Sequence, residues 1–144
     1  MNTKIIDDFS CGVIPYRVVD GVREFLLIQH NAGHWAFPKG HPEDAEEHAE
    51  TARRELEEET GLGHAELDED HPFEELYEFT KRSGKLVRKR VIYFLGHVVT
   101  DQALRIQASE VSDFAWGSAP QTRERMTFDE GKALFDTALA YLDA

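Results

Sequence analysis

Glu55, Glu58 and Glu59, in the stretch "RELEEETGL", stand at i, i+3 and i+4, so on a helix their carboxylates crowd one face. Like charges at these spacings each cost roughly a few tenths of a kcal/mol. They also fall toward the C-terminal end of the segment, where a helix dipole disfavours anions. A cation removes both penalties. A hard divalent ion such as Mg2+, which takes oxygen ligands and keeps several waters, suits such a cluster. The plainer alternative is a solvated acidic face answered by Arg53 and Arg54, and the three-glutamate spacing does not separate the two.

The elements that would carry these residues are legible nearby. Asp44 can cap a helix with Glu47 three residues on as its capping-box partner, and Gly61 can stop it. Ala45, Ala49, Ala52 and Leu56 recur at helical spacing and make a narrow apolar stripe for packing on a sheet. "CGVIPYRVVDGVREFLLIQH" reads as a hairpin turning at Asp20-Gly21. "FEELYEFTKRSGKLVRKRVIYFLGHVV" reads as a second hairpin turning at Ser83-Gly84, its second strand largely buried, and "DFAW" as a shorter strand. A last helix is expected from Thr127, with Glu130 as box partner and Phe128, Leu134, Phe135, Ala138, Leu139 and Leu142 on its apolar face. Helices interleaved with hairpins point to an α/β fold, a mixed sheet with helices packed against it.

Composition bounds the rest. The 144 residues carry 41% hydrophobic and 31% charged side chains, ordinary values for one globular domain spanning residues 1–144. Sixteen Lys and Arg against 28 Asp and Glu leave a net charge of −12, which argues against a general nucleic-acid binder. Cys11 is the lone cysteine, so no internal disulfide can form. The start "MNTKIIDDFS" lacks the apolar core of a signal peptide, and no apolar run approaches the ~20 residues of a spanning helix. The expectation is a cytoplasmic protein with no membrane partner. Gly63 to Pro72 is acidic and short enough to be a surface loop.

Counted from Gly40, the acidic segment runs Gly, five residues, Glu46, seven residues, Arg54-Glu55-Leu56, one residue, Glu58-Glu59, one residue and Gly61-Leu62. This frame resembles the signature of the Nudix hydrolases at every fixed position. The resemblance implies an α/β/α sandwich whose motif, residues 40–62, binds divalent metal and cuts a phosphoanhydride in a nucleoside diphosphate linked to another group. It implies that Glu55, Glu58 and Glu59 are the ligands of Mg2+, or of Mn2+. It makes Arg54 the support that orients a motif glutamate, and Glu46 a supporting carboxylate. Ala45 departs from the pattern, since a glycine often stands there. The general base is either a motif glutamate such as Glu55 or a distant one, and Glu110, ahead of the "DFAW" strand, is the best distant candidate.

The flanks bear on substrate. "GHWAFPKGHPE" resembles the lead-in to the motif in asymmetric dinucleoside-tetraphosphate hydrolases and in diphosphoinositol-polyphosphate hydrolases. His34, Lys39 and His41 there offer donors to phosphate oxygens, while Trp35 reads first as core. "KRSGKLVRKR" gathers six of the sixteen cations into ten residues. These could simply discourage edge pairing, but Lys89 in "KRVIYFL" resembles a phosphate-contacting lysine of the dinucleoside-tetraphosphate hydrolases. Tyr77 and Phe79 could stack on a base, at ~1–3 kcal/mol per base. The expected activity is hydrolysis of dinucleoside polyphosphates such as diadenosine tetraphosphate to ATP and AMP, by a monomer or homodimer acting on a small nucleotide. The alternatives are a diphosphoinositol-polyphosphate, RNA 5′-end or nucleoside-triphosphate pyrophosphohydrolase, or a non-catalytic nucleotide-binding Nudix module.

Overall fold

Both hairpin turns form where the glycine dipeptides stand. In the computed structural model, which describes residues 5–99 and 102–144, β1 (Ile5–Val19) pairs antiparallel with β2 (Val22–His30) across Asp20-Gly21. Gly21 takes φ 79°, a conformation glycine adopts at no steric cost. β6 (Phe73–Thr80) pairs with β7 (Leu86–His97) across the turn holding Gly84. The long β1 then lies parallel to β7 over Ile5–Tyr16 and Leu86–His97, which joins the hairpins into one mixed sheet. Residues 1–4, part of the N-terminal stretch read above, lie outside the described residues.

Four shorter strands complete the sheet among the described residues: β3 (Trp35–Ala36), β4 (Lys39–Gly40), β5 (Glu66–Leu67) and β8 (Val111–Gly117). β8 contains the expected "DFAW" strand and pairs with β2. β4 pairs with β1 at Cys11 and Gly12, which fixes the start of the acidic segment against the sheet centre.

Alternation along the central strands splits the core into two layers. Val91, Tyr93 and Leu95 face the side covered by α3 (Asp129–Leu142), where Leu134, Phe135 and Ala138 are buried. Ile92 and Phe94 face the other side, covered by α1 (His48–Thr60) through Ala49, Ala52 and Leu56. Burying a side chain such as Leu56 contributes roughly 1.5–3 kcal/mol. The arrangement is the expected α/β/α sandwich. No helix among the described residues is long and apolar enough to cross a membrane.

Local details depart from expectation. α1 begins at His48 rather than after Asp44; its N-cap is Glu47, with no side-chain cap. Glu46 replaces the predicted box, accepting from the Glu43 amide at 2.8 Å and the Thr51 hydroxyl at 2.9 Å. Ala45 therefore lies outside the helix, exposed, at φ 63°. α3 begins at Asp129, leaving Phe128 as its N-cap and half exposed rather than on the apolar face. A seven-residue helix, α2 (Ala119–Arg125), was not expected, although Ser118 and Gln121 form a complete capping box. β1 also starts at Ile5, ahead of the expected Cys11.

Candidate active site

Helix α1 presents Glu55, Glu58 and Glu59 from its last two turns, and Gly61 ends it at φ 79° with its amide donating to the Glu57 carbonyl. Glu55 is tucked against β4: a Cβ on Gly40 would collide with its carboxyl group. Glu58 is exposed, and Glu59 is 1% exposed. Arg54 ties the group together. Its Nη1 donates to Glu55 Oε1 at 2.9 Å and to Glu58 at 3.2 Å, and its Nε to Glu46 Oε2 at 2.8 Å. Nη2 also donates to the His41 carbonyl at 2.8 Å, pinning the loop that precedes the helix.

Glu59 is the most perturbed acid of the cluster. Burial, then the neighbouring charge of Glu55, pushes its carboxyl up to about 9, and its Oε2 is buried without a hydrogen-bond partner. Burial likewise raises Glu55, against the pull of Arg54. Among the described residues no three acidic, His or Cys side chains converge as a ready ligand set, because the Arg54 guanidinium stands between Glu55 and Glu58. The donors are nonetheless all hard oxygens, one of them an orphan, and Gly40 leaves a cradle for Glu55. A hard divalent cation fits these residues.

Glu110 lies on the turn before β8, exposed. The loop carrying it is stitched to the end of α1: the Gln107 amide donates to the Glu59 carbonyl at 3.3 Å and that of Arg105 to the Thr60 carbonyl at 2.8 Å. Its charge adds to the upward pressure on both Glu55 and Glu59.

Beside this helix a cavity of about 540 Å³ opens between β6, β7 and the start of α3. It collects His34, Lys39, Tyr77, Phe79 and Lys89 of the expected contacts, and Trp35, which is half-buried wall as well as core, with the Arg125 guanidinium 4.9 Å from its ring. Tyr77 and Phe79 lie nearly parallel, ring centres 6.2 Å apart. Lys39 is held below its usual range by burial and then by Lys89. Lys89 is 6% exposed, and its Nζ donates to Asp8 Oδ2 and Ser10 Oγ, both at 2.9 Å. His34 stacks on His30 at 4.4 Å and meets Phe128 at 5.4 Å. His41, by contrast, lies outside the cavity lining, its Nε2 2.7 Å from Asp8 Oδ1. It thus shares the Asp8 carboxylate with Lys89.

The cavity also contains residues that sequence reasoning did not select: Asp8, Glu75, Phe128 and Glu130. Strand alternation from Tyr77 and Phe79 would have placed Glu75 on the same face. The others come from β1 and from the start of α3, and only tertiary packing brings them here.

Comparison with known proteins places this geometry in context. The NUDIX domain model matches residues 12–136. The chain is 32% identical over 142 residues to the asymmetrical bis(5'-nucleosyl)-tetraphosphatase of Rattus norvegicus, covering 92% of this chain and 94% of that protein. The same enzyme of Mus musculus matches at 32% with the same coverage. Among solved structures, a binary complex of the C. elegans Ap4A hydrolase superposes with a TM-score of 0.82 at 26% identity, covering 94% of this chain and 98% of that one.

Proposed function

Since this chain belongs to the NUDIX family, we propose that it is a divalent-metal-dependent pyrophosphohydrolase that splits dinucleoside polyphosphates, of which diadenosine tetraphosphate is the type, into a nucleoside triphosphate and a monophosphate. The observation that carries this reading is the cavity. Aromatic rings at Tyr77, Phe79 and Phe128 stand beside the ammonium groups of half-buried Lys39 and buried Lys89, and Lys39 feels the charge of Glu59 on the acidic helix. Rings suit a base and ammonium groups suit its phosphates. Asp8, Glu75 and Glu130 in the same lining disfavour an inositol polyphosphate, which would bring only anionic groups.

Glu55, Glu58 and Glu59 would hold the metal. Bound there, a divalent ion supplies charge neutralisation for the phosphate oxygens and acidity for the attacking water. Arg54 keeps the carboxylates of Glu55 and Glu58 oriented, and Glu46 keeps Arg54 in place. Lys39 and Lys89 orient the phosphate chain for in-line attack, Lys89 being steadied by Asp8 and Ser10. Glu110 takes the proton from water. Among the described residues its carboxylate has no ion pair, whereas that of Glu55 is engaged by Arg54. The whole chain, residues 1–144, acts as one Nudix domain in this reading.

Hydrolysis of diadenosine and diguanosine tetraphosphates in heavy-oxygen water with Mg2+ tests it. The expected products are a nucleoside triphosphate and a monophosphate, with the label in one of them. Two diphosphates, or no turnover with any divalent metal, overturn the proposal.

A further inference from the structure

The face that β6 turns toward the cavity carries Phe73, Glu75, Tyr77 and Phe79, each two residues from the next. Exposure rises along this row from 5% at Phe73 to 43% at Phe79, with Glu75 and Tyr77 between, so the floor lies at the Phe73 end and the mouth at Phe79. Across the sheet Tyr77 stands opposite Lys89, while Glu75 stands opposite the aliphatic Val91. Among the described residues the Glu75 carboxylate has no hydrogen bond and no ion pair. What packs over it from α3 is Gly131, where even a Cβ would stand 3.7 Å from Glu75 Oε2. A larger residue there would close off the carboxylate; glycine leaves it open to the cavity. Burial, set against the charge of Lys39 and reinforced by that of Glu130, holds this carboxyl above its ordinary range.

A base stacked against Tyr77 near the mouth, its phosphates at Lys89 and Lys39, presents its far edge to the floor, where Glu75 waits as a pure acceptor. We propose that Glu75 reads this edge and makes the cavity selective for guanine, whose adjacent N1–H and N2–H donors match the two carboxylate oxygens. Adenine offers one amino group beside the N1 lone pair, which opposes a carboxylate, and hypoxanthine lacks the 2-amino donor. The assignment deepens the proposed function and rests on its base-bearing ligand.

The experiment compares kcat/KM for diguanosine, diadenosine and diinosine tetraphosphates in the wild type and in Glu75→Gln, with dissociation constants for GDP, ADP and IDP measured in parallel by calorimetry. The wild type should prefer guanosine over both others by roughly 10- to 100-fold, the range of one good bidentate pair. Glu75→Gln, with an unchanged melting temperature, should lose that preference mainly through the guanosine ligands. Equal treatment of the three bases, an adenosine preference, or a guanosine preference untouched by Glu75→Gln overturns the assignment. If no tetraphosphate is cut while GDP still binds best through Glu75, the hydrolase reading falls and the base assignment stands. If no nucleotide diphosphate binds with discrimination, the base assignment falls, whatever substrate is cut.

Discussion

Gly40→Ala probes the seat of Glu55 without touching any charged group. Gly40 lies outside the left-handed region, so its backbone accepts alanine. The added methyl, however, would overlap the carboxyl carbon and both oxygens of Glu55, where ordinary contact begins near 3.4 Å. The carboxylate must retreat by about 1 Å or swing off its hydrogen bond to Arg54, and a misplacement of that size in a catalytic constellation costs roughly 10²-fold. The kcat on a dinucleoside tetraphosphate at saturating Mg2+ should therefore fall ~100-fold, equivalent to ~2.7 kcal/mol. The melting temperature should move by less than about 3 °C, because the fold loses no core contact. Gly63→Ala is the matched control: its Cβ would meet the Glu57 carboxyl at 3.6 Å, an ordinary distance, so kcat should stay within about twofold. A Gly40→Ala enzyme that turns over at the wild-type rate, or an equal loss in Gly63→Ala, refutes the reasoning.

Two further changes test neighbouring features. Ala45→Gly relieves a left-handed alanine at φ 63°. The relief of ~1–2 kcal/mol outweighs ~0.4–1 kcal/mol of added unfolded-chain entropy, so urea midpoints should rise by the equivalent of about 0.8 kcal/mol; a lowered midpoint contradicts the backbone assignment. Glu59, pushed up to about 9 by burial and Glu55, binds its proton more tightly folded than unfolded. Its contribution to stability is fully present below the unfolded value of 4.5 and is lost as pH rises through about 9. Metal-free protein should therefore weaken between pH 5 and 9, and Glu59→Gln should flatten that slope; parallel curves for the two proteins would reject the perturbed acid.

Features set by neighbouring residues were legible in the sequence. Asp20-Gly21 and the Gly84 turn made their hairpins, Gly61 ended α1, and the stripe of Ala49, Ala52 and Leu56 packed as its spacing requires. Helix starts were misjudged where two capping chemistries competed. Asp44 with Glu47 looked sufficient, but Glu46 bonds both the loop and Thr51, and Arg54 locks it there. α2 carried a readable signal in Ser118 and Gln121 yet is too short to show a periodic face. The bridges β3, β4 and β5, two residues each, exist because β2, β1 and β7 offer them partners. The acidic helix and its arginine were visible because they share one short segment. The cavity was only half visible, since Asp8, Phe128 and Glu130 reach it from distant parts of the chain.

The parallel pairing of β1 with β7 sets an order of assembly. Ile5 finds its partner at Leu86 and Tyr16 at His97, so the first half of β1, which β2 does not pair, waits for most of its ladder until well past the middle of the sequence has been made. Asp8 and Ser10 cannot reach Lys89 before that closure. The wall that would grip the phosphates therefore waits for β7, whereas the three glutamates of the acidic helix lie within one short segment of chain.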